Sequence, residues 1–287
     1  MTTVYKKGAK GPYIVNIQRA LNETLGLALK LDGDFGPTTE KTLMDWQLLH
    51  KLKPTGVYDG QTAEILDIYI SRRFLKEQDF VDAASKLKTE VACVKAVQEV
   101  ESKGAGFLPN GKSVILFERH VFKKQLDAWL ALSAANVTTT AQKASCTFLP
   151  GQDKLATLKA HLLKTQPDIY NVATGGYKGN EAEYPRLAKA GLLNMDCAQK
   201  SASWGLFQIM GYHHALLGFS SITEMVASFN NSERNQLMGF CDFVAADARL
   251  LKAIRAKDWL TFAIGYNGPA QQGYDVKMAA AYAKHRT

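Results

Sequence analysis

"LKTEVACVKAVQEVESKG" (residues 87–104) carries two glutamates two positions apart, and the spacing of its apolar residues decides how the larger part of the chain folds. At about 100° per residue, Leu87, Val91, Val94 and Val97 fall on one stripe, the pattern of an amphipathic helix. Glu101 continues the stripe, four positions after Val97 and seven after Val94, whereas Glu99 projects to the opposite, solvated side. A carboxylate set against apolar walls loses hydration, which favours its neutral form. Glu101 also falls in the last turn before Gly104, where the negative helix end opposes ionisation. Both effects predict a carboxylic acid that holds its proton near neutral pH, the property a general acid needs.

The chain has 287 residues, 46% hydrophobic and 22% charged, enough apolar material for one large or two unequal domains. No apolar run approaches the ~18 residues of a membrane span, and the basic N-terminus MTTVYKKGAKGPY has no apolar core after it. The expectation is a soluble protein held in a cytoplasm, with no stable membrane insertion. Cys93, Cys146, Cys197 and Cys241 are scattered and form no C-x-x-C pair, so they read as buried thiols. His213 and His214 are adjacent and point different ways on any regular element, which favours polar packing over a metal site. No metal or organic cofactor is expected.

The formal net charge is +8, of which residues 1–75 carry +2, from ten Lys/Arg against eight Asp/Glu. Such a balance steers anionic partners, and an acidic wall polymer or anionic lipopolysaccharide fits it. Nucleic acid is not expected, because dense Lys/Arg clusters and nucleic-acid motifs are missing from the sequence.

Upstream lies a near-repeat: "LKLDGDFGPTTEKTL" (29–43) is echoed by "LKPTGVYDGQTAEIL" (52–66). Each copy has Leu-Lys, a Gly/Asp turn with one aromatic, and a Thr able to start a short helix. Ile14, Ile17, Leu21 and Leu25 before it have helical spacing, so helix, turn, helix, turn, helix is the economical reading. The stretch from about 9 to 70 resembles the small three-helix peptidoglycan-binding domain of cell-wall hydrolases, including its "DGDFGPTT" turn. That resemblance implies a wall-binding role for Asp32, Asp34, Phe35 and Thr38, although Phe35 and Trp46 also suit a core. Residues 71–86, "SRRFLKEQDFVDAASK", are charged, without Gly or Pro, and read as a short helical linker between domains at 1–72 and 73–287.

Beyond the glutamate helix, "SVILFERHVF" (113–122) reads as a strand, and Ser201 or Ser203 as the cap of a helix beginning near Trp204. "EVESKGAGF", "SVILFERH", "SASWGLFQIMGYHH" (201–214) and "FAIGYNGP" (262–269), in this order, resemble segments of the lysozyme and lytic-transglycosylase superfamily. More closely, residues 90–285 resemble the N-acetylmuramidase domain of modular phage endolysins. The resemblance implies Glu101 as catalytic acid, and a sugar cleft lined by the later segments. Ser203, the Gln208 amide, Tyr266 and Asn267 are the candidate sugar-binding groups there, while Trp204, Phe207 and Ile209 suit core packing.

A glycoside hydrolase ordinarily needs a second carboxylate. Glu118 is the candidate, because strand alternation groups it with Leu116 and His120, away from Arg119. Asp153, Asp168, Glu181 and Asp196 stay open. The expected protein is mainly α, a three-helix domain followed by a lysozyme-like helical domain with a small β-hairpin region. Its expected activity is hydrolysis of the β-1,4 bond between N-acetylmuramic acid and N-acetylglucosamine in bacterial peptidoglycan, by a monomer that waits in the host bacterial cytoplasm for a pore made by another protein. The rivals are a lytic transglycosylase with one acid/base Glu and a non-catalytic wall-binding virion protein.

Overall fold

The computed structural model describes residues 4–71, 73–102, 106–108 and 111–286. Gly104, expected just beyond the glutamate helix, lies outside them. The described residues form α1 (Pro12–Leu25), α2 (Pro37–Leu49), α3 (Gly60–Ser71), α4 (Glu77–Leu87), α5 (Val91–Ser102), β1 (Ile115–Phe117), α6 (Arg119–Leu130), α7 (Ala134–Lys143), α8 (Lys154–Thr165), α9 (Glu183–Lys200), β2 (Ala202–Trp204), β3 (Ile209–Met210), α10 (Ile222–Asn231), α11 (Glu233–Ala246), α12 (Ala248–Ala256), α13 (Trp259–Asn267) and α14 (Tyr274–His285). Two separate apolar cores result, one within residues 14–70 and one from Ala83 onward.

In the small core, α1–α3 close over Ile14, Ile17, Leu21, Phe35, Leu43, Trp46, Tyr58 and Leu66. The sequence repeat is built by two buried glutamines used alike. The Gln18 Oε1 accepts from Gly33 N (3.0 Å) while its Nε2 donates to Asp34 O (3.0 Å) and Thr39 Oγ1 (3.1 Å). The Gln47 Oε1 accepts from Gly56 N (2.9 Å) while its Nε2 donates to Val57 O and Thr62 Oγ1, both at 2.9 Å. In each turn the glycine has positive φ, +71° at Gly33 and +65° at Gly56, a conformation open to glycine at little cost. Satisfying a turn's inward polar groups with one buried amide removes the penalty of leaving them dry.

The larger core is helical around one sheet. Helix α5 lies along α14 and α4, with Cys93, Val94, Ala96 and Val97 fully buried. Leu87 belongs to the preceding helix, not to α5 as its spacing suggested: Lys88 turns left-handed (φ 54°) and Thr89 N bonds back to Ala84 O, which closes α4. The stretch read as a linker is largely α4, which packs on α5 and α11 and carries Ala83, Ala84 and Leu87 into this core. The strand expected over 113–122 is confined to Ile115–Phe117, and α6 begins at Arg119. No helix starts near Trp204; residues 202–210 are a hairpin, giving the antiparallel order β1-β2-β3 with Leu116 opposite Ser203 and Ser203 opposite Met210. No helix among the described residues is long and apolar enough to cross a membrane.

Candidate active site

Val94 and Val97 anchor α5 in the core, so the next residue on that face, Glu101, is carried to the core's edge half-buried. Burial pushes its carboxyl up to about 7, while the hydrogen bond from Asn267 Nδ2 to Oε1 (2.8 Å) works in the opposite direction. No other described residue bonds that carboxyl. Its sequence neighbour Glu99 is ionised on the outer face, bridged to Lys284 (3.0 Å) and His285 (2.7 Å). Glu233 is a second acid raised by burial, but backbone N–H groups hold both its oxygens, Gly106 at 2.9 Å and Leu75 at 3.1 Å. Its environment is that of a structural tie.

Asn267 is exposed at the end of α13, and Tyr266 beside it is half-buried. The Tyr266 hydroxyl donates to Phe207 O (2.8 Å), and its ring is packed by Phe240, Phe243 and Phe262. Tyr266 therefore braces the β2–β3 turn, a role its expected sugar contact did not include. The Gln208 amide, also expected to meet sugar, is used inside the turn: Oε1 accepts from Ser203 Oγ (2.8 Å), and Nε2 donates to Gly205 O (2.8 Å) and Val114 O (3.3 Å). Beneath the turn lies buried Gln236, which sequence reading missed. Its Oε1 accepts from Leu206 N (2.6 Å) and its Nε2 donates to Phe229 O (2.8 Å). Gly205 has φ +71°, and a Cβ there would stand 2.5 Å from the Gln236 carboxamide carbon, so the turn requires glycine on two counts. Leu116, Ser203 and Met210 share one sheet face by register, opposite buried Ile115, Phe117, Ala202, Trp204 and Ile209.

Glu118 follows β1 directly, its N–H extending the ladder to Ser201 O (2.9 Å) and its C=O starting α6. The Tyr177 hydroxyl donates to both carboxylate oxygens, at 2.8 and 2.9 Å. Burial and this carboxylate push the Tyr177 hydroxyl up to about 12. His120 Nδ1 lies 3.2 Å from Glu118 Oε2 without hydrogen-bond alignment. No hydrogen bond or ion pair joins Glu101 to Glu118 among the described residues. The structure joins Glu101 with Asn267, Tyr266 with the hairpin, Ser203 with Gln208, and Glu118 with Tyr177.

Known proteins match this arrangement at two levels. Residues 90–286 match the N-acetylmuramidase family model, and residues 10–66 match that of the peptidoglycan binding domain. The chain belongs to the N-acetylmuramidase family. The muramidase is also similar to a solved structure, the Burkholderia AP3 phage endolysin, at 36% identity over 99% of this chain and 98% of that one, with a TM-score of 0.61. No curated protein sequence matches it significantly.

Of the four carboxylates left open by the sequence, Glu181 is exposed in the turn before α9, and the other three have structural partners. Asp153 caps α8, Asp168 pairs with Lys189 (2.6 Å) and Asp196 pairs with Lys200 (2.7 Å). In the peptidoglycan-binding domain, Phe35 is fully buried, so it builds the core instead of meeting the wall. Asp32 Oδ1 accepts from Gln18 Nε2 and Asp34 N, and Asp34 pairs with exposed Lys10 (2.8 Å). Thr38 is exposed in the first turn of α2 and accepts from Thr42 through its carbonyl. All four cysteines are buried thiols. His213 packs edge-on against Phe243, and His214 Nδ1 lies 3.2 Å from Gly211 O. Among the described residues no group of three or more His, Cys, Asp or Glu is arranged to hold a metal ion.

Proposed function

We propose that this muramidase is an endolysin in which Glu101 protonates the glycosidic oxygen leaving N-acetylmuramic acid, and Glu118 supports the oxocarbenium-like centre or activates water. The observation that carries the reading is Glu101 itself, a carboxyl at a helix end that burial raises to about 7, with Asn267 its side-chain donor among the described residues. Asn267 acts on Glu101 in this reading, orienting the acid by its amide. Similarity to a phage endolysin along nearly the whole chain supports the lytic role. Division at 1–72 and 73–287 lets the first unit hold the enzyme to peptidoglycan, raising its local concentration on an insoluble polymer. Accumulation in the host cytoplasm as a monomer, and release through a membrane pore made by another protein, complete the reading. The charge of +8 supports attraction to anionic lipopolysaccharide, which salt would screen.

A pH profile tests the acid's identity. Glu101 is active when protonated, so kcat/KM should fall on the alkaline side with a midpoint near the group's value of about 7. Asn267→Ala removes the donor that opposes burial, so the midpoint should move upward. An alkaline limb that is unmoved in this variant would detach Asn267 from the acid.

A further inference from the structure

Glu118 is enclosed by a segment distant in sequence. Residues 167–179 pass over it, and buried or half-buried charges on both sides of Glu118 fasten them. On one side Arg119 donates to three carbonyls of the segment: Ala173 O at 2.9 Å, Thr174 O at 2.8 Å and Pro167 O at 3.3 Å. On the other, the fully buried Glu183 carboxylate accepts from Phe117 N (3.3 Å), the residue before Glu118. It also accepts from Lys178 N and from Gly179 N (2.9 Å), the residues after Tyr177. Arg186 pairs with Glu183 at 2.6 Å and donates to Phe117 O (3.0 Å) and Asp168 O (2.8 Å). The backbones bearing Glu118 and Tyr177 are thus tied to one buried ion pair.

We infer that Tyr177 is a positioning residue of the muramidase reaction, held by the Arg119 and Glu183–Arg186 ties so that its hydroxyl fixes the Glu118 carboxylate. The inference rests on Glu118 being the second carboxylate. A carboxylate that serves a cationic transition state must be held before the reaction starts, because reorganising it during the reaction adds to the barrier. A side chain at the start of a helix, with no cap bond of its own, has several rotamers available. Tyr177 removes that freedom by donating to both oxygens, and a phenol on a rigid ring loses little entropy in doing so. The tyrosine is itself 45% exposed, which leaves one competing role open, direct contact with sugar.

Kinetics on solubilised peptidoglycan separate the two roles. For Tyr177→Phe, positioning predicts kcat lowered by roughly 10-fold with KM within about twofold, because the lost bond is to Glu118 and not to substrate. In the Glu118→Gln background the same change should have little further effect, since the group it positions is gone. A raised KM with unchanged kcat would make Tyr177 a sugar ligand and overturn the inference, as would effects that add in the double variant. If Glu118→Gln alone cripples turnover and Tyr177→Phe does not, the inference fails while the reading of Glu118 stands. If Glu118→Gln keeps wild-type turnover, the reading of Glu118 fails and takes the inference with it.

Discussion

Glu101→Gln is expected to lower turnover on peptidoglycan by about 10²–10⁴-fold, the range a positioned general acid contributes, with the fold intact. Glutamine keeps the shape of the side chain but has no acidic proton to give the leaving oxygen. The same substitution should not weaken the protein above neutral pH. The folded carboxyl is raised to about 7 by burial, against an ordinary value of 4.5. Below pH about 4.5 both folded and unfolded chains hold the proton, and the native state carries no cost. As pH rises from there through about 7, the unfolded chain ionises first, and stability is lost until the buried carboxyl ionises too. The loss is on the order of 2–3 kcal/mol after allowance for the half-exposed position. Thermal unfolding at pH 5 and pH 8 should therefore show wild type losing more stability across that interval than Glu101→Gln. Equal turnover in the two proteins would remove Glu101 from the reaction.

Glu183→Ala is expected to be the most damaging single change to stability, by about 3–5 kcal/mol, because it leaves Arg186 buried without its partner. The carboxylate is fully buried and Arg186 nearly so, and three backbone N–H groups from two segments lose their acceptor as well. Burial alone would push Glu183 up, but the Gly179 and Lys178 N–H groups together with Arg186 hold it below the usual carboxylate value. A lowered folded value means that this stabilisation is present above the ordinary value of 4.5 and is lost as pH falls through the folded one. Urea unfolding at pH 7 should show the full deficit, and the gap between variant and wild type should narrow in acid. A variant within about 0.5 kcal/mol of wild type at pH 7 would place the pair outside the list of large effects.

What the sequence made legible was periodic or local. The apolar stripe ending in Glu101 survives in α5 because Val94 and Val97 are core residues, and the near-repeat survives as two glycine turns over one small core. Breaks without a glycine or proline signal were not visible: Lys88 takes a left-handed conformation that few lysines adopt, so Leu87, the last residue of α4, reads as the first of the α5 stripe. The run "SVILFERHVF" is apolar enough for a strand, yet only three residues pair before α6 begins, since a short apolar run does not distinguish strand from buried helix. Partners brought together by folding were out of reach altogether. Gln18, Gln47 and Gln236 look like ordinary surface residues until the turns they satisfy close around them. Tyr177 and Glu183 lie 59 and 65 positions from Glu118, with no local pattern to connect them. Gln208 and Tyr266 were expected to meet sugar, Gln208 from a helix near Trp204, but residues 202–210 fold as a hairpin, and the polar atoms of both side chains bond to backbone and to Ser203.

The most direct test of a water-consuming, Glu101-driven cleavage is mass spectrometry of fragments released from purified sacculi by the wild-type muramidase in 18O-labelled water. The account predicts reducing N-acetylmuramic acid ends that carry the label, as hydrolysis requires. Unlabelled anhydro-muramic ends would contradict it, because the substrate's own hydroxyl would then have displaced the leaving oxygen in place of water.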